Sequence, residues 1–156
     1  MIRPSRFAFN EETAQNNFFQ QRGSVGSVAE KAQEEFDAFV QLLRGNDVEV
    51  MVVQDTPEPW TPDSIFPNNW FSSHISGELV LYPMFAENRR LERKPQVMEL
   101  LRRKINHRKI IDLTHWEKEG EFLEGTGSMV LDRDRQIAYC CRSPRTSEKV
   151  LAEFCA

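Results

Sequence analysis

The chain repeats itself at long range. "FVQLLRG" (39–45) lines up with "VMELLRRK" (97–104), and "VEVMVVQD" (48–55) with "RKIIDLTH" (108–115). "IFPNNWFSS" (65–73) lines up with "FLEGTGSMV" (122–130), and "ELVLYPM" (78–84) with "QIAYCCR" (136–142). All four offsets fall near 60 residues. A repeat of that length is a whole supersecondary unit, here of the order helix–strand–hairpin, and such a unit buries its faces only against neighbouring copies.

Spacing within the repeat predicts the elements. Val28, Ala32, Phe36, Phe39, Val40 and Leu43 recur at intervals of three and four, which predicts an amphipathic helix over 28–44. Ser27 would cap its start, and Gly45 with Asn46 would end it. The run 48–54 predicts a mostly buried strand. The three prolines of "DTPEPWTPD" (55–63) demand a loop. "IFPNNWFSSH" and "GELVLYPM" predict two strands joined near Ser76-Gly77. A second helix is expected over about 88–105, with Val97, Leu100, Leu101 and Ile105 inward. A strand at 109–113, a hairpin within 127–141 turning at Asp132–Arg135, and a third helix from Arg145 complete the pattern. "SRFAF" (5–9) reads as a lone strand that would close a ring against the last unit of a longer chain. The expected organisation is the N-terminal part of a single domain, with units at 1–85 and 86–142 and a third begun at 143–156.

Bulk properties narrow the function classes. A length of 156 residues suits one domain with a real core. The net charge of −4 and the lack of a basic stripe argue against a nucleic-acid partner. No apolar run reaches the roughly 20 residues of a membrane helix, so no membrane and a cytoplasmic location are expected. The three cysteines, Cys140, Cys141 and Cys155, form no disulfide framework and read as packing residues. His74, His107 and His115 sit in loop-like or charged surroundings. No metal-ligand spacing and no phosphate loop occur, so neither a metal nor another cofactor is expected.

What remains is polar chemistry at the ends of strands. One segment gives Asp63, Asn68 and Asn69. The corresponding segment of the second unit gives Glu124, the one charged group in an apolar stretch tightened by Gly125 and Gly127. Glu124 reads either as a turn carboxylate or as one that orients a base or binds a donor-rich ligand. Taken singly, Arg89, Arg90 and Arg93 in "ENRRLERK" read as a solvated helix start and Arg145 in "SPRT" as a turn residue near a helix N-terminus; together they put guanidinium groups beside the carboxylate and amides at corresponding ends of the units. In a ring of repeats these positions would face the centre.

"FNEETAQNN", "PDSIFPNNWFSSH", "LYPMFAENRRLER", "FLEGTGSMVLDR" and "SPRT", in this order, resemble the arginine deiminase and amidinotransferase superfamily. The likeness is greatest to bacterial amidinotransferase-like citrulline hydrolases and to dimethylarginine dimethylaminohydrolases. The resemblance implies an α/β pentein propeller, of which this chain would supply about two and a half of five units. It implies hydrolysis of a C–N bond in a guanidino or ureido amino acid of citrulline, arginine or methylarginine type. A cysteine would attack the central carbon while a histidine moves protons. Glu124 would pair with that histidine. Asp63, Asn68 and Asn69 would hold the head group, and Arg89 or Arg90, with Arg145, the amino-acid end.

The family's histidine and cysteine belong to the half that follows, so the chain alone is expected to be inactive. A homo-oligomer or a missing C-terminal half would cover its open edges. Two other readings stand beside this one: a non-catalytic truncated pentein acting as a binding module, and a chain completed in trans by a partner.

The chain departs from the family at Asn68 and Asn69, where dimethylarginine hydrolases carry acidic residues, and at Gly127-Ser128, where relatives have an Asp. A carboxylate suits a guanidinium, which only donates. A buried carboxylate facing a neutral ligand would be left uncompensated. Two amides therefore point to a neutral ureido head.

Overall fold

The computed structural model describes residues 1–14, 28–104 and 107–156. The expected cap Ser27 and the inward Ile105 lie outside the described residues. Chain contacts define two compact units, Met1–Pro67 and Asn68–Ala156.

In the N-terminal unit, strand β1 (Ile2–Arg3), helix α1 (Glu11–Ala14), helix α2 (Val28–Gly45) and strand β2 (Val53–Gln54) follow in order. β1 and β2 pair in parallel, Ile2 with Val53 and Arg3 with Gln54. A parallel pair needs a crossover, and α2 lies in it. Phe36 and Val40 bury the helix face that periodicity assigned, whereas Phe39 is exposed. The helix is tied to β1 by a two-point pair: Arg3 Nε and NH2 donate to the two oxygens of Asp37, each at 2.8 Å.

Two expectations fail here. The N-terminal strand is Ile2–Arg3, not 5–9, and its partner is β2 of the same chain. The run 48–54, expected to be mostly buried, is exposed or half-buried and pairs only at Val53–Gln54, because β1 offers it two residues. The proline-rich loop is closed by Asp55, whose Oδ2 accepts from Ser64 at 2.8 Å and from Thr61 at 3.3 Å.

A 3-10 turn across Pro67–Asn69 leads into the C-terminal unit. Strands β3 (Phe71–Ser73) and β4 (Glu78–Leu81) form the expected hairpin. Helices α3 (Glu87–Arg90) and α4 (Pro95–Lys104) lead to β5 (Lys109–Asp112), which pairs parallel to β4. The sheet order is β3-β4-β5. Central β4 is buried on both faces at Leu79, Val80 and Leu81, as a strand flanked on both sides should be. The helix expected over 88–105 is therefore two helices. Pro95 cannot donate to the preceding turn and instead takes the first position of α4.

A 3-10 turn (Thr114–Glu119), the helical turn α5 (Gly125–Ser128), strands β6 (Met129–Asp132) and β7 (Ile137–Cys140), and helix α6 (Glu148–Phe154) follow. β6 and β7 are antiparallel, and the residues between them are Arg133–Gln136. Gly127 and Ser128 lie in α5, not in the strand. The core joins Val80, Tyr82, Leu113, Leu123, Met129 and Val150, with Trp116, Cys140 and Phe154 against it. Cys141 and Cys155 are exposed, the latter just past α6, so neither packs as expected.

The repeat is visible in this pattern. Each hairpin is entered through a helical turn, at Pro67–Asn69 and at Gly125–Ser128. Each parallel pair, β1–β2 and β4–β5, is bridged by a helix. Among the described residues no helix is long and apolar enough to cross a membrane.

Candidate functional site

The two equivalent turns of the C-terminal unit lie against each other. Gly125 has φ +21°, and a Cβ there would stand 2.4 Å from the Asn68 carbonyl oxygen. Only glycine permits that approach. Asn68, exposed, donates from Nδ2 to the Thr126 hydroxyl.

Glu124 follows the buried Leu123 and is itself 1% exposed. Its Oε1 accepts from the Phe85 N–H at 3.1 Å, and its Oε2 from Arg145 NH1 at 3.1 Å. Ser128 braces the turn from inside. Its hydroxyl accepts from the Glu124 N–H at 2.9 Å and donates to the Arg145 carbonyl at 2.6 Å. A carboxylate has about four acceptor sites, so Glu124 has capacity for a further donor.

Asn69 stands across from it. Its Oδ1 accepts from Arg89 NH1 at 2.8 Å. Arg89 is 4% exposed and is held by Glu92, with Nε to Oε1 at 2.8 Å and NH2 to Oε2 at 3.1 Å. Gly127 separates Asn69 from Glu124. A Cβ at 127 would lie 2.9 Å from Asn69 Nδ2 and 3.5 Å from Glu124 Oε2.

The geometry thus gathers Asn69, Arg89, Glu124 and Arg145 near Gly127. Arg90 faces elsewhere: its Nε donates to the Met84 carbonyl and its NH2 to the Phe85 carbonyl, at 2.9 and 3.1 Å, with the guanidinium over Phe122. It lines an open depression of 520 Å³ with Asp112, Thr114, His115, Glu117 and Lys118. Arg93 pairs with Glu117 at 2.8 Å. Asp63 belongs to the N-terminal unit, where its Oδ2 accepts from Asn10 Nδ2 at 2.7 Å and from Thr13 Oγ1 at 3.3 Å.

Glu92 and Thr126 are not singled out by the sequence patterns. Glu92 hides in a charged run that reads as solvated, and only its spacing of three from Arg89 hints at a pair. Burial raises the Cys140 thiol pKa, with Cys155 adding to it, which disfavours the thiolate a nucleophile needs. Among the described residues no group of three or more His, Cys, Asp or Glu side chains is placed to hold a metal ion.

Comparison with known proteins identifies the family of the chain. The family model for eukaryotic N,N dimethylarginine dimethylhydrolases matches residues 3–156. The chain belongs to this family. The solved structure of a dimethylarginine dimethylaminohydrolase from Pseudomonas aeruginosa, a cysteine-to-serine variant complexed with citrulline, superposes with TM-score 0.65 at 20% identity. That match covers 98% of this chain and 52% of that one. AgrE in its ternary complex with ornithine and NAD+ gives TM-score 0.63 at 19% identity, covering 96% and 20%. Another dimethylarginine dimethylaminohydrolase, a histidine-to-glycine variant in adduct with S-methyl-L-thiocitrulline, gives 0.59 at 22%, covering 81% and 45%. No curated protein matches.

This member of the dimethylarginine dimethylhydrolase family therefore spans about half the length of the related hydrolases and a fifth of AgrE. Its fold is part of a pentein propeller: mixed α/β, with partial sheets and, among the described residues, no closed barrel.

Proposed function

We propose that this chain holds the head group of a guanidino or ureido amino acid for a pentein hydrolase that cleaves a C–N bond by covalent cysteine catalysis. In this reading the repeat units run 1–85, 86–142 and 143–156. Glu124 orients the histidine that moves protons, and Asn69 with Asn68 meets the ligand head. Asp63 belongs to the head-binding segment, and Arg90 and Arg145 serve the amino-acid end. The histidine and the cysteine are assigned to no residue of this chain.

One observation carries the proposal. A carboxylate that is 1% exposed and an amide flank the same side-chain-free position, Gly127. Burying a carboxylate is costly without a role or a partner. Here Arg145 supplies the partner. The family match over residues 3–156 supports the reaction class. The neutral amides favour a ureido head, because an uncharged ligand needs no counter-charge. The test is calorimetric titration of the full chain with L-citrulline, L-arginine and Nω,Nω-dimethylarginine. Binding of at least one is expected, with citrulline preferred and no turnover. Absence of binding for all three overturns the proposal.

A further inference from the structure

Asn69 has its acceptor occupied. A guanidinium offers five donors and no acceptor, so the amide atom 2.8 Å from Arg89 NH1 must be the carbonyl oxygen. The NH2 group is thereby turned away from Arg89. It lies close beside Gly127, where a Cβ would stand only 2.9 Å from it. Among the described residues Nδ2 donates to no acceptor.

Arg89 cannot easily yield, because Nε and NH2 engage both oxygens of Glu92 in a pair whose side chains are 4% and 0% exposed. Two parallel charge-assisted bonds fix the plane of the guanidinium as well as its position.

We propose that Glu92 and Arg89 are positioning residues that set the polarity of Asn69, so that the site meets its ligand there with an N–H donor. This rests on the reading that Asn69 and Glu124 serve the ligand head, and sharpens it. A free amide can turn either way and would accept a guanidinium or a ureido group equally well. A clamped amide cannot. The donor at Asn69 and the acceptor at Glu124 both lie beside Gly127. A ureido group matches that order, with its carbonyl oxygen toward Asn69 and its N–H toward Glu124. A guanidinium presents N–H to both and leaves the Asn69 donor facing a donor. Arg89 thus acts through Asn69 and does not touch the amino-acid end of the ligand.

The test has two arms on the full chain. In the first, the side-chain carboxamide signals of Asn69 are followed by ¹⁵N–¹H NMR in wild type, Glu92→Gln and Arg89→Lys. Both substitutions should move these signals, and unmoved signals overturn the proposal whether or not a ligand binds. In the second, L-citrulline and L-arginine are titrated. Wild type should prefer citrulline by about tenfold or more, and the two variants should lose most of that preference. Asn69→Asp keeps an acceptor for Arg89 and so preserves the clamp, but replaces the donor by an acceptor. It should reverse the preference toward arginine. An unchanged preference in Asn69→Asp, or in variants whose amide signals have moved, overturns the proposal. If neither ligand binds wild type, the ligand-head reading fails, and the amide signals alone decide whether Glu92 and Arg89 position Asn69.

Discussion

His74 Nδ1 lies 3.1 Å from Arg133 NH1. Arginine only donates, so Nδ1 must accept and the imidazole proton sits on Nε2. Nε2 then donates to the Ser72 hydroxyl at 2.8 Å, and Ser72 meets the Tyr82 hydroxyl at 2.6 Å. A histidine that donates to a serine cannot act as its base, so this Ser–His contact is structural.

The same contact predicts a pH dependence. Burial, then Arg133, holds the His74 pKa below its ordinary value of 6.5, with Glu78 opposing. The unfolded state therefore binds a proton more readily, and the contribution to stability is fully present above pH 6.5. It is lost as pH falls from there through the lowered folded-state value. Melting curves of wild type and His74→Gln between pH 8 and pH 5 should diverge. The wild-type midpoint should fall more steeply below pH 6.5, and parallel curves would refute this.

Gly125 and Gly127 should separate stability from binding. Gly125 has φ +21° and faces the Asn68 backbone, which cannot move aside cheaply. Gly125→Ala is expected to lose more than about 2 kcal/mol in urea denaturation. Gly127 meets mainly the end of the Asn69 side chain. Gly127→Ala should lose less than about 1 kcal/mol while abolishing the citrulline binding proposed above. Equal stability losses would contradict the packing described.

Much of this was legible in the sequence, for identifiable reasons. The face of α2 follows from spacing, because Phe36 and Val40 must find an apolar partner. Glu124 stands out because it is the only charge in a glycine-tightened apolar segment. The break at Pro95 was legible in principle, but Val97, Leu100 and Leu101 all lie beyond it and mask the interruption. The short pairing of β2 was not legible, since a strand ends where its partner ends and that is a tertiary fact. Nor was Glu92, because a charged run reads as solvated until its partner is known to be buried.

Glu117 joins backbone to an ion pair. Its Oε1 accepts from the Met84 N–H at 2.9 Å, and both its oxygens accept from Arg93 NH2, at 2.9 and 2.8 Å. Arg93 also donates to the Tyr82 carbonyl at 3.2 Å. The pair is mostly buried, with side chains 16% and 13% exposed. Glu117→Ala leaves a guanidinium and an amide without their acceptor and should cost about 3 kcal/mol. Glu117→Gln keeps one acceptor oxygen and should cost less. A denaturation midpoint unchanged in Glu117→Ala would show that solvent replaces the pair.

Asp63 tests whether a residue matched to ligand binding also supports the fold. Asn10, Thr13 and Asp63 are 0%, 1% and 5% exposed, and both neighbours donate to Asp63 Oδ2. Removing a buried acceptor costs the desolvation of its donors, about 1–3 kcal/mol. A residue kept for a ligand alone does not behave so, because replacing it often leaves the unliganded protein as stable or more so. Asp63→Ala should therefore lose about 1–3 kcal/mol in the absence of any ligand. Asp63→Asn, which retains one acceptor oxygen, should recover part of the loss. Urea denaturation of the three proteins without ligand decides it: an Asp63→Ala midpoint equal to wild type would remove the structural role and leave only the ligand role proposed for this carboxylate.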